Sequence, residues 1–158
     1  MRPLALDLDR VLGDTRPLWD EWLEDAARRF ATIAPLDVAA LPADRGEAAA
    51  SLDRWAEGGV GDWRALLRRF AEERAPIHLR PRAATNALLR RLHASGATIG
   101  VFTDAPEPLA EIALAQLGLR QQVASVCGGE RALERLRAAL GPETVVVASP
   151  DGLPEAPE

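Results

Sequence analysis

The chain has no lysine and no tyrosine, a single cysteine (Cys127) and two histidines, His78 and His93. One thiol cannot close an internal disulfide or furnish a cysteine-rich zinc site. The histidines are not at a spacing that lets two ligands share a helix face, so a histidine-based metal site or a Ser-His-Asp triad is poorly supplied. Without lysine, Schiff-base chemistry and the amine of a phosphate-binding loop are excluded. All 19 basic residues are arginine. No apolar run reaches the roughly 18 residues that a membrane span needs. The opening MRPLALDLDR carries acids where a signal peptide needs an apolar stretch, so a cytoplasmic location is expected. A net charge of −5 argues against nucleic acid as the main partner.

What is present suits a globular fold. The 158 residues are 47% hydrophobic and 27% charged, enough for one soluble domain with room for an insert. Four short apolar runs read as strands: residues 3–8 (PLALDL), 98–103 (TIGVFT), 123–127 (VASVC) and 144–148 (TVVVA). None alternates strictly, as expected of parallel strands covered on both faces. Helical patterns lie between them at 81–94, 106–117 and 130–140, closed by Gly96, Gly118 and Gly141. Asp104 with Glu107 three residues on looks like a capping box for the second of these. Strand–helix alternation of this kind predicts a three-layer, Rossmann-like α/β fold with a parallel sheet.

Residues 16–76 interrupt the alternation with helical periodicity alone and hold all four tryptophans, Trp19, Trp22, Trp55 and Trp63. Breaks are expected at Pro35, Pro42, Gly58-Gly59 and Pro76. The expected organisation is a core of 1–15 and 77–152, a helical insert of 16–76, and a flexible tail of 153–158. The tryptophans serve as packing for the insert, or one or two of them line a cleft.

Asp7 and Asp9 end the first strand, where ligands of open parallel sheets bind. Were the strand to continue past Asp7, both carboxylates would point the same way. Paired carboxylates need a cation or a shared proton, and magnesium is a hard cation suited to oxygen ligands. The plainer reading is that Asp7 closes the strand and Asp9 caps a turn. Thr103, followed by Asp104, ends the second strand, so its hydroxyl is expected on the rim that carries Asp7. A carboxylate nucleophile, a second carboxylate and a hydroxyl donor on one rim form a constellation for phosphoryl transfer.

LALDLDRVLGDT resembles the first motif of the haloacid dehalogenase superfamily, and TIGVFTDAPEPLAEIALAQLGL resembles its second motif with the following helix. Arg10 stands where glycine is commonest. The insert at 16–76 matches the family's smaller, helical cap. The resemblance implies a phosphatase of a small phosphorylated metabolite working through an aspartyl-phosphate. Asp7 would be the nucleophile, and Asp9 the acid for the leaving group and then the base for water. Thr103 would hold a phosphoryl oxygen, with Asp9, Arg10 and Asp104 around the phosphate. Magnesium, weakly bound, would sit on the Asp7 carboxylate and the Asp9 carbonyl.

Two motifs depart from the family. Its third supplies a lysine; here only an arginine can serve, and Arg131 after the third strand is the best placed. Its fourth supplies acids after the fourth strand; here VVVASPDGLPE has Ser149 and Leu153 at those places, with Asp151 nearby but out of register as the remaining metal ligand. The alternative is therefore a catalytically degenerate protein of this fold that binds a ligand or a protein. A receiver domain is disfavoured by the missing lysine and the long insert, and a dehalogenase by Asp9, which that reaction does not need.

Overall fold

A parallel sheet forms because each apolar run is too short for a helix and is followed by a helix that returns the chain to the same end. The structure, a computed structural model, describes residues 1–157. Strands β1 (Leu4–Asp7), β2 (Ile99–Thr103), β3 (Ser125–Gly128) and β4 (Val145–Val147) pair in the order β3-β2-β1-β4, all parallel. Helices α1 (Arg16–Arg29), α2 (Arg45–Ala56) and α3 (Trp63–His78) follow β1, and α4 (Ala83–Ala94), α5 (Glu107–Leu117) and α6 (Ala132–Leu140) alternate with the later strands. This is the expected Rossmann-like α/β architecture. Leu4, Leu6, Ile99 and Val101 enter the main core from one face of the sheet. Gly100, in between, faces Leu136 and Leu140 of α6 on the other. No helix among the described residues is long and apolar enough to cross a membrane.

The three helices after β1 share one continuous core with the sheet. Trp19, Trp22 and Trp63 pack together with ring centroids 5.6–6.4 Å apart, and Phe30 meets Trp55 edge-on. These aromatics tie α1, α2 and α3 together through large apolar contacts. Glu21 of α1 also forms an ion pair with Arg74 Nη2 of α3 (2.6 Å) and pairs with His78. The helix does not stop at Pro76 but runs on to His78. Proline removes one N–H there, and the last turn tolerates that loss because Leu79 N–H still reaches the Ala75 carbonyl (2.8 Å). In the tail, Leu153 and Ala156 are partly buried against the core, beside Leu88 and Arg91 of α4. Glu158, the last residue of that expected tail, lies outside the described residues.

One close approach fixes where α2 sits. Asp44 caps this helix, accepting from the Glu47 N–H (2.9 Å). A Cβ built on Gly46 would stand 2.8 Å from the backbone nitrogen of Glu130, in the loop after β3. Backbone cannot yield there as a side-chain tip would. Gly46→Ala is therefore expected to lift the start of α2 off the loop and destabilise the fold by about 1–3 kcal/mol. Urea denaturation of both proteins checks this; an unchanged midpoint would show that the loop gives way freely.

Candidate active site

The chain leaves β1 at Asp7 and enters a wide, π-helical turn over Leu8–Leu12. Asp9 therefore does not continue the strand's alternation, and the two aspartates meet different surroundings. Asp7 sits on the rim, half-buried, with its carboxylate accepting weakly from the Arg10 N–H (3.4 Å) and lying 3.9 Å from Arg10 Nε. Burial pushes its carboxyl above the usual range, and the neighbouring Asp9 charge adds to that.

Asp9 is buried and fully used. One oxygen accepts from the N–H and hydroxyl of Thr15 (2.8 and 2.6 Å). The other accepts from the Thr103 hydroxyl (2.7 Å) and from Arg45 Nη2 (2.8 Å). Burial by itself raises its carboxyl, but the Arg45 charge and the hydrogen bonds from Thr15 and Thr103 together outweigh burial and hold it below the usual range.

Arg45 is the residue the motifs do not reveal. It comes from the first turn of α2, its side chain is 2% exposed, and every part of its guanidinium is engaged. Nη1 donates to Thr15 Oγ1 (2.7 Å), Nη2 to Asp9 and Thr103 (3.3 Å for the latter), and Nε and Nη2 to Asp104 Oδ1 (3.0 and 2.8 Å). Asp104 is not the cap of α5; that place belongs to Pro106, and the carboxylate has turned to Arg45 instead. A charge-assisted bond to a buried guanidinium outweighs a neutral helix cap. The Asp44…Glu47 spacing marks the start of α2, but no local signal says that Arg45 points inward.

A cavity of about 480 Å³ opens over this network, lined by Asp7, Asp9, Arg10, Thr103, Asp104 and Arg131 among others. The structure thus brings together five of the residues singled out by sequence with the arginine proposed to replace the lysine. Arg131, however, is 77% exposed and turned onto Glu134 (2.7 Å). Its backbone is left-handed at φ 55°, the one such non-glycine residue among those described. The buried cation beside Thr103 is Arg45, not Arg131. Asp151 lies exposed on the turn after β4 and does not line the cavity.

That donor set does not make a resident magnesium site. The ion wants near-octahedral oxygens, usually with one or two carboxylates. Asp9 gives its carboxylate to Arg45, and no three acidic, histidine or cysteine side chains stand together as ligands among the described residues. The charge that a metal would balance is met in part by the guanidinium.

No family model and no curated protein sequence matches the chain. Its fold, however, is shared with solved structures. CbbY from Rhodobacter sphaeroides, in complex with phosphate, superposes with a TM-score of 0.59 at 15% identity, covering 92% of this chain and 76% of that one. A mutant of the same protein in complex with xylulose-(1,5)bisphosphate gives 0.57 at 15% identity over the same shares. A HAD phosphatase from Thermococcus onnurineus gives 0.52 at 18% identity, again over 92% and 76%.

Removing one partner of a buried, hydrogen-bonded pair costs about 3–5 kcal/mol. Arg45→Met is expected to lose that much stability at pH 7. Asp9 has its carboxyl lowered by folding, so its contribution is present above the unfolded carboxylate range and is lost as the pH falls through the folded one. The gap between wild type and variant should therefore close on acidification, which denaturant melts at neutral and acid pH will measure. A gap independent of pH would mean that packing, not the Asp9 charge, sets the cost.

Proposed function

We propose that the chain hydrolyses phosphoric monoesters of a small metabolite through an aspartyl-phosphate on Asp7. The observation that carries this reading is that a lightly engaged rim carboxylate, Asp7, and a hydroxyl, Thr103, line one cavity, with the Arg45 guanidinium buried directly behind that hydroxyl. A phosphoryl group needs a nucleophile on one side and fixed donors for its oxygens, and little else from the protein. The phosphate and sugar bisphosphate held by the CbbY structures lend the reading support from the shared fold.

In the first step an Asp7 oxygen attacks phosphorus, the bond to the ester oxygen breaks with its electron pair leaving on that oxygen, and the acyl phosphate forms. Thr103 and Arg45 hold the phosphoryl oxygens, the guanidinium standing in for the absent lysine with its planar fork. In the second step the Thr103 hydroxyl has turned from Asp9 to the phosphoryl group, and Asp9 takes a proton from water in its place; the hydroxide attacks phosphorus, phosphate leaves with the Asp7 carboxylate restored, and Asp9 gives its proton up to solvent. Asp9, held in its ionised form, suits this second role better than proton donation to the alcohol. Substrates whose leaving oxygen needs no proton, such as aryl phosphates, are thus the favoured ones. Because the donor set falls short of a resident magnesium site, no step runs through the ion.

The second reading, a binding module without turnover, is favoured by the closed network itself, in which Asp9, Thr103, Arg45 and Asp104 satisfy one another. An aryl phosphate assay separates the two. Asp7→Asn is expected to abolish release of the phenol, since an amide cannot form the acyl phosphate. Asp9→Asn should lower it by about 10²–10⁴-fold, the usual worth of a positioned base. Activity retained in Asp7→Asn would refute the nucleophile.

Ser149 follows β4, the neighbour of β1, at the place where the family's first metal acid stands. Calorimetry is expected to find wild-type magnesium affinity of about millimolar or weaker, and Ser149→Asp to tighten it by supplying a second carboxylate. Micromolar binding by the wild type would mean that an acid such as Asp151 swings in to complete a site.

A further inference from the structure

Asp104 is an acid placed where a phosphoryl site has least use for one. It follows Thr103 directly and lines the same cavity as Asp7. Its Oδ1 accepts from both Nε and Nη2 of Arg45, and its Oδ2 accepts from the Arg45 backbone N–H (3.0 Å). The Nε/Nη2 edge of a guanidinium is one that engages phosphate and carboxylate oxygens. In this fold that edge is already taken by a carboxylate of the same chain.

The two acids on Arg45 are not equivalent. Asp9 is 3% exposed and receives four hydrogen bonds, so it cannot turn away without leaving a buried charge bare. Asp104 is 29% exposed and receives hydrogen bonds from Arg45 alone, so water can take over its solvation if it rotates toward the cavity. An incoming anion can therefore displace Asp104 but not Asp9. We propose that Asp104 is an internal anion that occupies Arg45 until a phosphoryl group displaces it, and that it thereby sets how tightly the site holds phosphate. The proposal rests on reading this cavity as a phosphoryl site, but not on turnover there.

The test is calorimetric titration of the full chain with inorganic phosphate. Asp104→Asn removes the competing charge and keeps an acceptor for the Arg45 N–H. It is expected to bind phosphate about tenfold more tightly than wild type, the scale of one charge-assisted hydrogen bond. If Asp104 only clamps α2 in place, the amide loosens Arg45 and phosphate binds more weakly; weaker or unchanged binding overturns the proposal. Should Asp104→Asn fail to fold, Asp104→Ser carries the same expectation. Failure of both to fold makes the carboxylate a structural clamp and also overturns it, as does the absence of phosphate binding in all three proteins. Because binding needs no chemistry, tighter phosphate binding in a protein inert toward aryl phosphate would sink the hydrolase reading and leave this one standing.

Discussion

The buried pair between Asp9 and Arg45 is the constraint around which the rim is arranged. A charge at 2–3% exposure is tolerable only with its partner in place and its remaining hydrogen-bonding capacity filled. Meeting that demand draws in Thr15, Thr103 and Asp104, and so ties the turn after β1, the start of α2 and the end of β2 to one point. Arg45 can reach Asp9 only if α2 lies hard against the loop after β3, and glycine at position 46 permits that approach. Packing of the helices and electrostatics of the rim are thus a single problem with a single solution.

The same network puts a guanidinium, in a chain without lysine, behind the rim that carries Asp7. Around the guanidinium stand Asp9 and Asp104, leaving the group one negative charge in excess before Asp7 is counted. Ion pairs of this kind add little net stability over an apolar filling, since desolvation consumes most of the attraction. Their value lies in geometry: the hydroxyl of Thr103 and the guanidinium are held in one place relative to Asp7. A site tuned in this way trades affinity for order, because its donors are arranged by the acids that also occupy them.

Much of the fold was legible from local pattern. The four strands lie within the four apolar runs to a residue or so, and α4, α5 and α6 end just before the glycines expected to stop them. These features are encoded by neighbours in the chain, through burial on both faces and left-handed caps such as Gly118 at φ 73°. Asp7, Asp9 and Thr103 could be found because strand ends and motif spacing are local as well. Arg45 could not. Its partners are 30 to 59 positions away, and one more arginine on a helix of an arginine-rich chain carries no mark of burial. Arg131 was the natural choice by proximity to β3, yet its left-handed backbone aims the side chain at Glu134. Asp104 departs from the capping box for the reverse reason: a sound local motif lost to a stronger distant partner, Arg45.

The placement of the tryptophans has a spectroscopic corollary. All four lie on α1, α2 and α3, tyrosine is absent, and no strand carries an indole. Intrinsic ultraviolet emission therefore originates wholly in the layer between β1 and α4, while the peptide circular dichroism sums every element. Trp19, Trp22 and Trp63 are close enough for their transitions to couple, so near-ultraviolet dichroism would carry the signature of that cluster. Two optical channels of one melt thus watch different parts of one continuous core, and their coincidence or separation reads out directly whether the helices after β1 and the sheet let go together.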